Sequence, residues 1–376
     1  MSETMIPIAF TGGGTGGHIY PGLAVAAYLQ KQGNYRIFWI GSNKGMDKII
    51  VEQAGLEFFG IPAGKLRRQV SLKHGAEALK VGAGFFAARG ILKQKQPRLL
   101  FSKGGFVSVP PCLAAASLGL PVWTHESDVS PGLATNINAR FAQKIFITYE
   151  ETAAFFPQSY QDRIILAGNP VRPAFRSADP VQGRAFLKVK EGERILLVLG
   201  GSQGSHQINE LVRETLDELT RWYTVVHQTG LEHGWDVKPR ERYRPYPFFR
   251  EEMPQVLVAA ELVLGRSGAG TLWECAATGR PMVLIPLSGS GTRGDQVENA
   301  RIFANAGAAV VLGQAFGTEA SPEALRTVIA KIAEDAGRRT AMAAASARIG
   351  CLDGVEIIAE RIQHDLGAVK GALCSI

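Results

Sequence analysis

Thr11 to His18 reads Thr-Gly-Gly-Gly-Thr-Gly-Gly-His, with five glycines in the six positions from 12 to 17. Glycine tolerates positive φ and lets a ligand approach its amides closely. The stretch follows an apolar run and precedes a helix-type segment, whose first N–H groups and positive dipole end attract anions. Two more clusters follow apolar runs, Lys103-Gly104-Gly105-Phe106 and Gly200-Gly201-Ser202-Gln203-Gly204. Three such loops predict a site that handles phosphates. His18 closes the first loop, where a helix N-terminus would keep its imidazole neutral and hence basic. Glu126 follows another apolar run and is the second candidate general base. The alternatives are that His18 caps or orients and that Glu126 is a structural hydrogen-bond acceptor. His125 reads as a packing or orienting residue.

Gly12, Gly14 and Gly17 also satisfy the dinucleotide fingerprint, which requires an acid at the end of the second strand for the ribose. Here that strand ends Ile40-Gly41-Ser42-Asn43, with no acid before Asp47. A nicotinamide-dependent oxidoreductase is disfavoured accordingly. The four cysteines lie far apart without a C-x-x-C, which argues against a zinc site or a disulfide framework and for a reducing compartment.

The elements that must carry these loops alternate between short β-type runs and longer helical stretches, the pattern of parallel α/β domains. At 376 residues, 46% hydrophobic and 20% charged, the chain suits two globular domains. Strands are predicted at Ile6–Thr11, Arg36–Ile40, Arg98–Ser102, Val122–Thr124 and Lys144–Thr148. The pattern restarts with Arg194–Leu199, Thr224–Gln228, Leu262–Gly265 and Met282–Ile285. Helices are expected at Gly22–Gln32, Ile208–Leu219 and about Val355 to Leu366. The two prolines of Gly168-Asn169-Pro170-Val171-Arg172-Pro173 mark a hinge. The division expected is an N-terminal Rossmann-like domain over 1–170, a second over 171–350, and a C-terminal helix and tail over 351–376 that returns to the first domain.

The net charge of +7 favours an anionic partner. Nine of the Lys and Arg residues fall between Lys65 and Arg98, against the single acid Glu77. At helical pitch Leu72, Leu79 and Phe86 share one face, and Val81, Phe85 and Leu92 share the other. One stripe can enter a core, leaving the other exposed between basic flanks, as an anionic membrane surface requires. The competing reading is that glycines 82, 84 and 90 break the helix and both stripes are buried. No run approaches the roughly 18 apolar residues of a membrane span, so any membrane contact is expected to be peripheral. The cluster lacks the interleaved aromatics of nucleic-acid motifs, and no nucleic-acid partner is expected.

These loops, with His125-Glu126, Gly168-Asn169-Pro170-Val171-Arg172 and Arg266-Ser267-Gly268-Ala269-Gly270-Thr271-Leu272-Trp273-Glu274, resemble the MurG family of peptidoglycan N-acetylglucosaminyltransferases. The resemblance runs from about Ile6 to about Leu366 with the motifs in order. It implies a GT-B fold, two Rossmann-like domains whose parallel sheets face a deep cleft, and an inverting transfer. The donor would be UDP-N-acetylglucosamine and the acceptor a lipid-linked muramyl peptide, at the cytoplasmic face of the inner membrane. No cofactor or metal is implied, in keeping with the lack of an Asp-x-Asp triplet. Thr15, Gly16 and Gly17 would face the donor sugar, while Gly13, Gly14, Gly104 and Gly105 would form acceptor-pyrophosphate loops. Arg172 and Ser202 would bind the diphosphate, and Phe249 would pair with uracil through its backbone. Ala269, Gly270, Thr271, Leu272, Trp273 and Glu274 would surround the ribose, whose hydroxyls a carboxylate can accept from. Gln296 would read the sugar hydroxyls.

Two departures fall on the sugar side. The family commonly shows His-Glu-Gln-Asn where this chain has His125-Glu126-Ser127-Asp128, and Asp128 keeps an acceptor but loses the amide donors. Asp295 stands where a second glutamine is usual. A GT-B transferase for another nucleotide sugar or glycolipid is the alternative these departures leave open. A non-catalytic binding protein fits less well, because both candidate bases are present.

Overall fold

The computed structural model describes residues 5–64, 74–201, 203–231, 235–289 and 292–373. The chain divides into two units, Met1–Arg172 with Asp353–Ile376, and Pro173–Leu352.

The first unit is built on a seven-stranded sheet: β1 (Ile6–Thr11), β2 (Tyr35–Ser42), β3 (Glu57–Ile61), β4 (Leu99–Ser102), β5 (Val122–Glu126), β6 (Lys144–Ile147) and β7 (Ile164–Leu166). Every pairing is parallel, in the order β3-β2-β1-β4-β5-β6-β7. Alternate side chains of β1 feed two cores, as the period of two demands. Ile8 and Phe10 join one with Trp39, Phe101 and Phe146. Ala9 joins the other with Phe38, Leu100 and Cys112. Helix α1 (Tyr20–Lys31) covers the first face together with the last helix, Gly354–Leu373, whose Ile358, Ala359 and Ile362 are buried there. An ion pair between Lys144 and Asp365 (3.0 Å) fastens that helix at its rim.

Chain order reverses between β1 and β4, where Thr11 pairs with Ser102 and the Lys103 N–H donates to Thr11 O at 2.8 Å. Loops leaving the carboxyl ends at such a switch point diverge and open a binding crevice. The first two glycine clusters leave there, and Ser102 pairs in turn with Thr124, placing the His125–Asp128 turn next in line.

Helix α2 (Asp47–Gln53) joins β2 to β3, and helix α3 (His74–Lys95) is continuous through its glycines. Gly84 is where the helix touches its neighbours, since a Cβ there would lie 2.2 Å from Pro62 O. Ala88 and Leu92 are buried and Phe85 packs on the same core, whereas Leu79 and Phe86 are 76% and 72% exposed. Leu72 and the basic residues 65, 67, 68 and 73 lie outside the described residues. Among the described residues no helix is long and apolar enough to cross a membrane.

The second unit carries a six-stranded parallel sheet: β8 (Ile195–Leu199), β9 (Thr224–Gln228), β10 (Tyr243–Tyr246), β11 (Leu262–Gly265), β12 (Met282–Leu284) and β13 (Ala309–Val311). Its order, β10-β9-β8-β11-β12-β13, repeats the reversal of the first unit, here between β8 and β11. Helix His206–Trp222 follows the glycine loop after β8, capped by Ser205, whose hydroxyl accepts from Ile208 N. Four strands went unread in the sequence: β3, β7, β10 and β13. They are the edges of the two sheets.

Candidate active site

In the first unit three loops meet above the switch point. Thr11 to His18 comes first, and its last three residues, Gly16–His18, form a single 3-10 turn that runs into α1. Thr15 Oγ1 and His18 Nδ1 lie 2.9 Å apart, a pair that ties the imidazole to the loop carrying it. The His18 ring stacks against the second loop, where a Cβ on Gly105 would sit 3.2 Å from its Cγ and Nδ1. Gly104 and Gly105 have φ of 86° and 76°, a region that disfavours side chains, so the sequence has glycine at both. Asn138 Nδ2 donates to Ser102 Oγ and Ser108 Oγ (3.2 and 2.8 Å) and so anchors both ends of this loop. Gly13 and Gly14 belong to the same assembly, with Gly14 against the Phe106 ring.

Asp47, discounted as a ribose ligand, holds the first loop from below. Its buried carboxylate accepts from Gly14 N (3.1 Å) and Ser42 N (3.1 Å). Burial raises its pKa, partly offset by these hydrogen bonds.

The third loop is organised by Glu126. One carboxylate oxygen accepts from Ser127 N (2.8 Å) and Asp128 N (3.0 Å), the other from Gly132 N (3.1 Å), and Thr135 also donates to the carboxylate. Burial and then the Asp128 charge push its pKa up. His125 is wholly buried, and its Nε2–H donates to Gly168 O at 2.9 Å, since a carbonyl only accepts. Burial first, then the Lys103 ammonium, holds its pKa well below the usual range, so it is neutral and tied to the hinge segment. Lys103 is itself 1% exposed, and its Nζ donates to Ser127 Oγ. Arg172, at the end of this unit, lies over the ring of Tyr20 with the guanidinium carbon 5.0 Å from the centroid.

In the second unit, Ser202 lies outside the described residues. The loop around it is held by Gln228, whose Nε2 donates to Gly201 O (3.2 Å) and whose Oε1 accepts from Phe249 N (2.9 Å). The Phe249 N–H is thus engaged inside the protein, while its ring packs on Tyr246 with centroids 4.7 Å apart. Helix Ala269–Ala277 follows β11 after the extended Gly268. Leu272 and Trp273 are buried in the domain, so only their backbone can face a ligand, whereas Gly270, Thr271 and Glu274 are half-buried. Ser267 Oγ donates to Gln296 O (2.7 Å), and Gln296 Oε1 accepts from Leu287 N (3.0 Å). Asp295, the second departure, pairs with Arg293 at 2.9 Å.

In the first unit residues 13–18, Gly104, Gly105 and residues 126–128 lie at the carboxyl ends of β1, β4 and β5, while Arg172 follows the edge strand β7. In the second, residues 269–274 follow β11 and Gln296 is held by Ser267 there, while Phe249 follows the edge strand β10. Asp47, Lys103 and Gln228 were missed as site residues. Asp47 and Lys103 were visible only as a late acid and a cluster member.

Two successive Rossmann-like parallel sheets with glycine loops at their switch points make up the GT-B architecture. Residues 8–147 match the glycosyltransferase family 28 N-terminal domain and residues 195–358 its C-terminal domain. The chain is 48% identical over 325 residues to the UDP-N-acetylglucosamine–N-acetylmuramyl-(pentapeptide) pyrophosphoryl-undecaprenol N-acetylglucosamine transferase of Treponema denticola, covering 81% of this chain and 83% of that one. It is 40% identical over 310 residues to the same-named protein of Staphylococcus carnosus, covering 82% and 84%. The crystal structure of Acinetobacter baumannii MurG superposes with a TM-score of 0.71 at 23% identity, covering 96% of this chain and 99% of that chain. The chain belongs to this family of N-acetylglucosaminyltransferases.

Proposed function

We propose that the protein transfers N-acetylglucosamine from UDP-N-acetylglucosamine to the muramyl 4-hydroxyl of undecaprenyl-pyrophosphoryl-N-acetylmuramyl-pentapeptide, with inversion. The observation that carries the reading is the 48% identity to a transferase of that name across 81% of the chain. His18 is the general base. In the tautomer whose Nδ1–H donates to Thr15 Oγ1, Nε2 is the basic nitrogen, and it takes the hydroxyl proton as oxygen attacks the anomeric carbon. The Gly13–Gly14 and Gly104–Gly105 loops take the acceptor pyrophosphate. Thr15, Gly16, Gly17, Asp128 and Gln296 face the donor sugar.

The departing UDP is stabilised by Arg172, the loop of Ser202 and the first amides of helix Ala269–Ala277. Glu274 accepts from the ribose hydroxyls, and the backbone at Phe249 faces uracil. Glu126, with its carboxylate taken up by its own loop, organises rather than reacts.

Leu79 and Phe86, exposed on α3 beside Lys80, Arg89 and Lys93, support peripheral docking on an anionic leaflet, in this reading the cytoplasmic face of the inner membrane. UDP release with a lipid-linked muramyl-peptide analogue tests the reaction. Turnover is expected with UDP-N-acetylglucosamine and little with UDP-glucose, and equal rates would overturn the donor assignment. Vesicle flotation tests the surface: recovery with anionic lipid should fall in Leu79→Ser/Phe86→Ser.

A further inference from the structure

Lys103 has no part in the mechanism above, yet it is an ammonium placed almost entirely out of solvent. A buried charge persists only where partners offset its desolvation. Its stem lies against the first glycine loop and helix α1, where Cβ atoms on Gly12 and Gly22 would stand 3.2 and 3.7 Å from Lys103 Cβ. Its ammonium reaches the third loop, where it donates to Ser127 Oγ and faces the carboxylates of Glu126 and Asp128. Ser127 Oγ passes the contact on to Asn169 Oδ1 at 3.0 Å, in the segment that ends the unit. One side chain thus links the loops after β1, β4 and β5 to the residues before Arg172.

The two positions it touches or faces in the third loop beyond Glu126 are Ser127 and Asp128, where the family resemblance implies that a Gln-Asn pair is common. A serine is short enough to receive the ammonium, and an aspartate brings a charge that an asparagine does not. We propose that Lys103 is a positioning residue for the donor sugar, and that Lys103, Ser127 and Asp128 form one interdependent set replacing the neutral Gln-Asn turn. The ammonium balances the Asp128 charge and sets the direction in which the turn presents it. The other acidic departure follows the same logic, since Asp295 is matched with Arg293.

The inference rests on the donor-sugar assignment of Asp128 and deepens it. The test is a double-mutant cycle on the full chain, with Lys103→Met, Asp128→Asn and both together, reading kcat, donor KM and melting temperature. Each single substitution is expected to raise the KM for UDP-N-acetylglucosamine about tenfold with a much smaller change in kcat. The double variant should return to within about threefold of the parent, because the stranded charge is gone. A donor KM unchanged in Lys103→Met, or a double variant whose loss is the product of the singles, would overturn the set. Should Lys103→Met fail to fold, Ser127→Ala removes the same link from a half-buried position. It must raise the donor KM as well, and an unchanged KM overturns the proposal. If the underlying reaction were misread, the parent protein would release no UDP from this donor, which the cycle's reference measurement shows separately.

Discussion

The two units share a strand order but hold their loops differently. In the first, the glycine loops and the turn after β5 are held by buried ionisable groups: Asp47 on Gly14 and Ser42, Glu126 on three amides, Lys103 on Ser127. In the second, the corresponding work falls to neutral amides and hydroxyls. Gln228 bridges Gly201 and Phe249, Ser267 holds Gln296, and Asn209 links His227 to Thr229 O. His227 sits in that network as a neutral group, its pKa pushed down to about 3 by burial. Among the described residues near those loops the half-buried Arg266 is cationic, and it donates to Gln207 and to Ile285 O. Under the proposed function, the loops without carboxylates are those offered to the departing UDP, and the loops with them surround the proposed base His18. On the proposed function, the difference runs between the unit that carries the base and the unit that takes the nucleotide.

The sharpest way to break this comparison is His18→Ala. Turnover should fall about a hundredfold or more with the donor KM and melting temperature little changed. Near-normal kcat would take the chemistry away from the first unit. Next in size is Glu126→Gln, which sets an amide NH2 among backbone N–H donors that need acceptors. The cost should be about 2 kcal/mol of stability, seen as a lower thermal midpoint. An unchanged midpoint would mean that the buried carboxylate is not what shapes the loop.

On the neutral side, Gln228→Ala should raise donor KM roughly tenfold while leaving kcat near its starting value. A fall in kcat alone would blur the division.

The smallest effect is one of pH. Burial lowers the Lys103 pKa from 10.5 to about 8, against the opposing pull of Glu126 and Asp128. Above that value the ammonium is lost and donor KM should rise, by about threefold from pH 7 to 9, in the parent but not in Lys103→Met. Stability moves the other way. Between about 8 and 10.5 the folded chain holds less of this proton than the unfolded chain, so the contribution of Lys103 grows as pH rises. Asp47 and Glu126 are raised, so the stability linked to their protonation fades as pH climbs from 3.8 and 4.5 through their folded values. A KM that rose together with falling stability above pH 8 would point to loosening of the loops instead.

Among the described residues, sequence patterning alone marks all nine inner strands and none of the four edges. Inner strands of a parallel sheet are covered on both faces, so each must be a short apolar run, and a local window detects it. Edge strands escape that demand. Tyr243-Arg244-Pro245-Tyr246 carries a charge and a proline, and Ile164–Leu166 is only half-buried throughout. The glycine loops were legible for a similar reason, because backbone that turns with positive φ, as at Gly104 and Gly105, selects glycine whatever surrounds it. The stripe of α3 left outside, Leu79 and Phe86, could not be chosen from periodicity, since both stripes were apolar.

Where charge ended up was a matter of folding. Lys103 read as a polar member of a loop, and only the assembled sheet turned it inward, toward Ser127, 24 residues away, and through it Asn169, a further 42 along the chain. Asp47 looked too late for a ribose, and proved to be 33 residues from the glycine amide it holds. Glu126 reads in the sequence as a candidate base, and only the fold shows its carboxylate accepting from neighbouring N–H groups. Residue type and local spacing specify backbone shape because the forces involved act over a few residues. The partner of a buried charge is set by desolvation, which depends on every element packed around it.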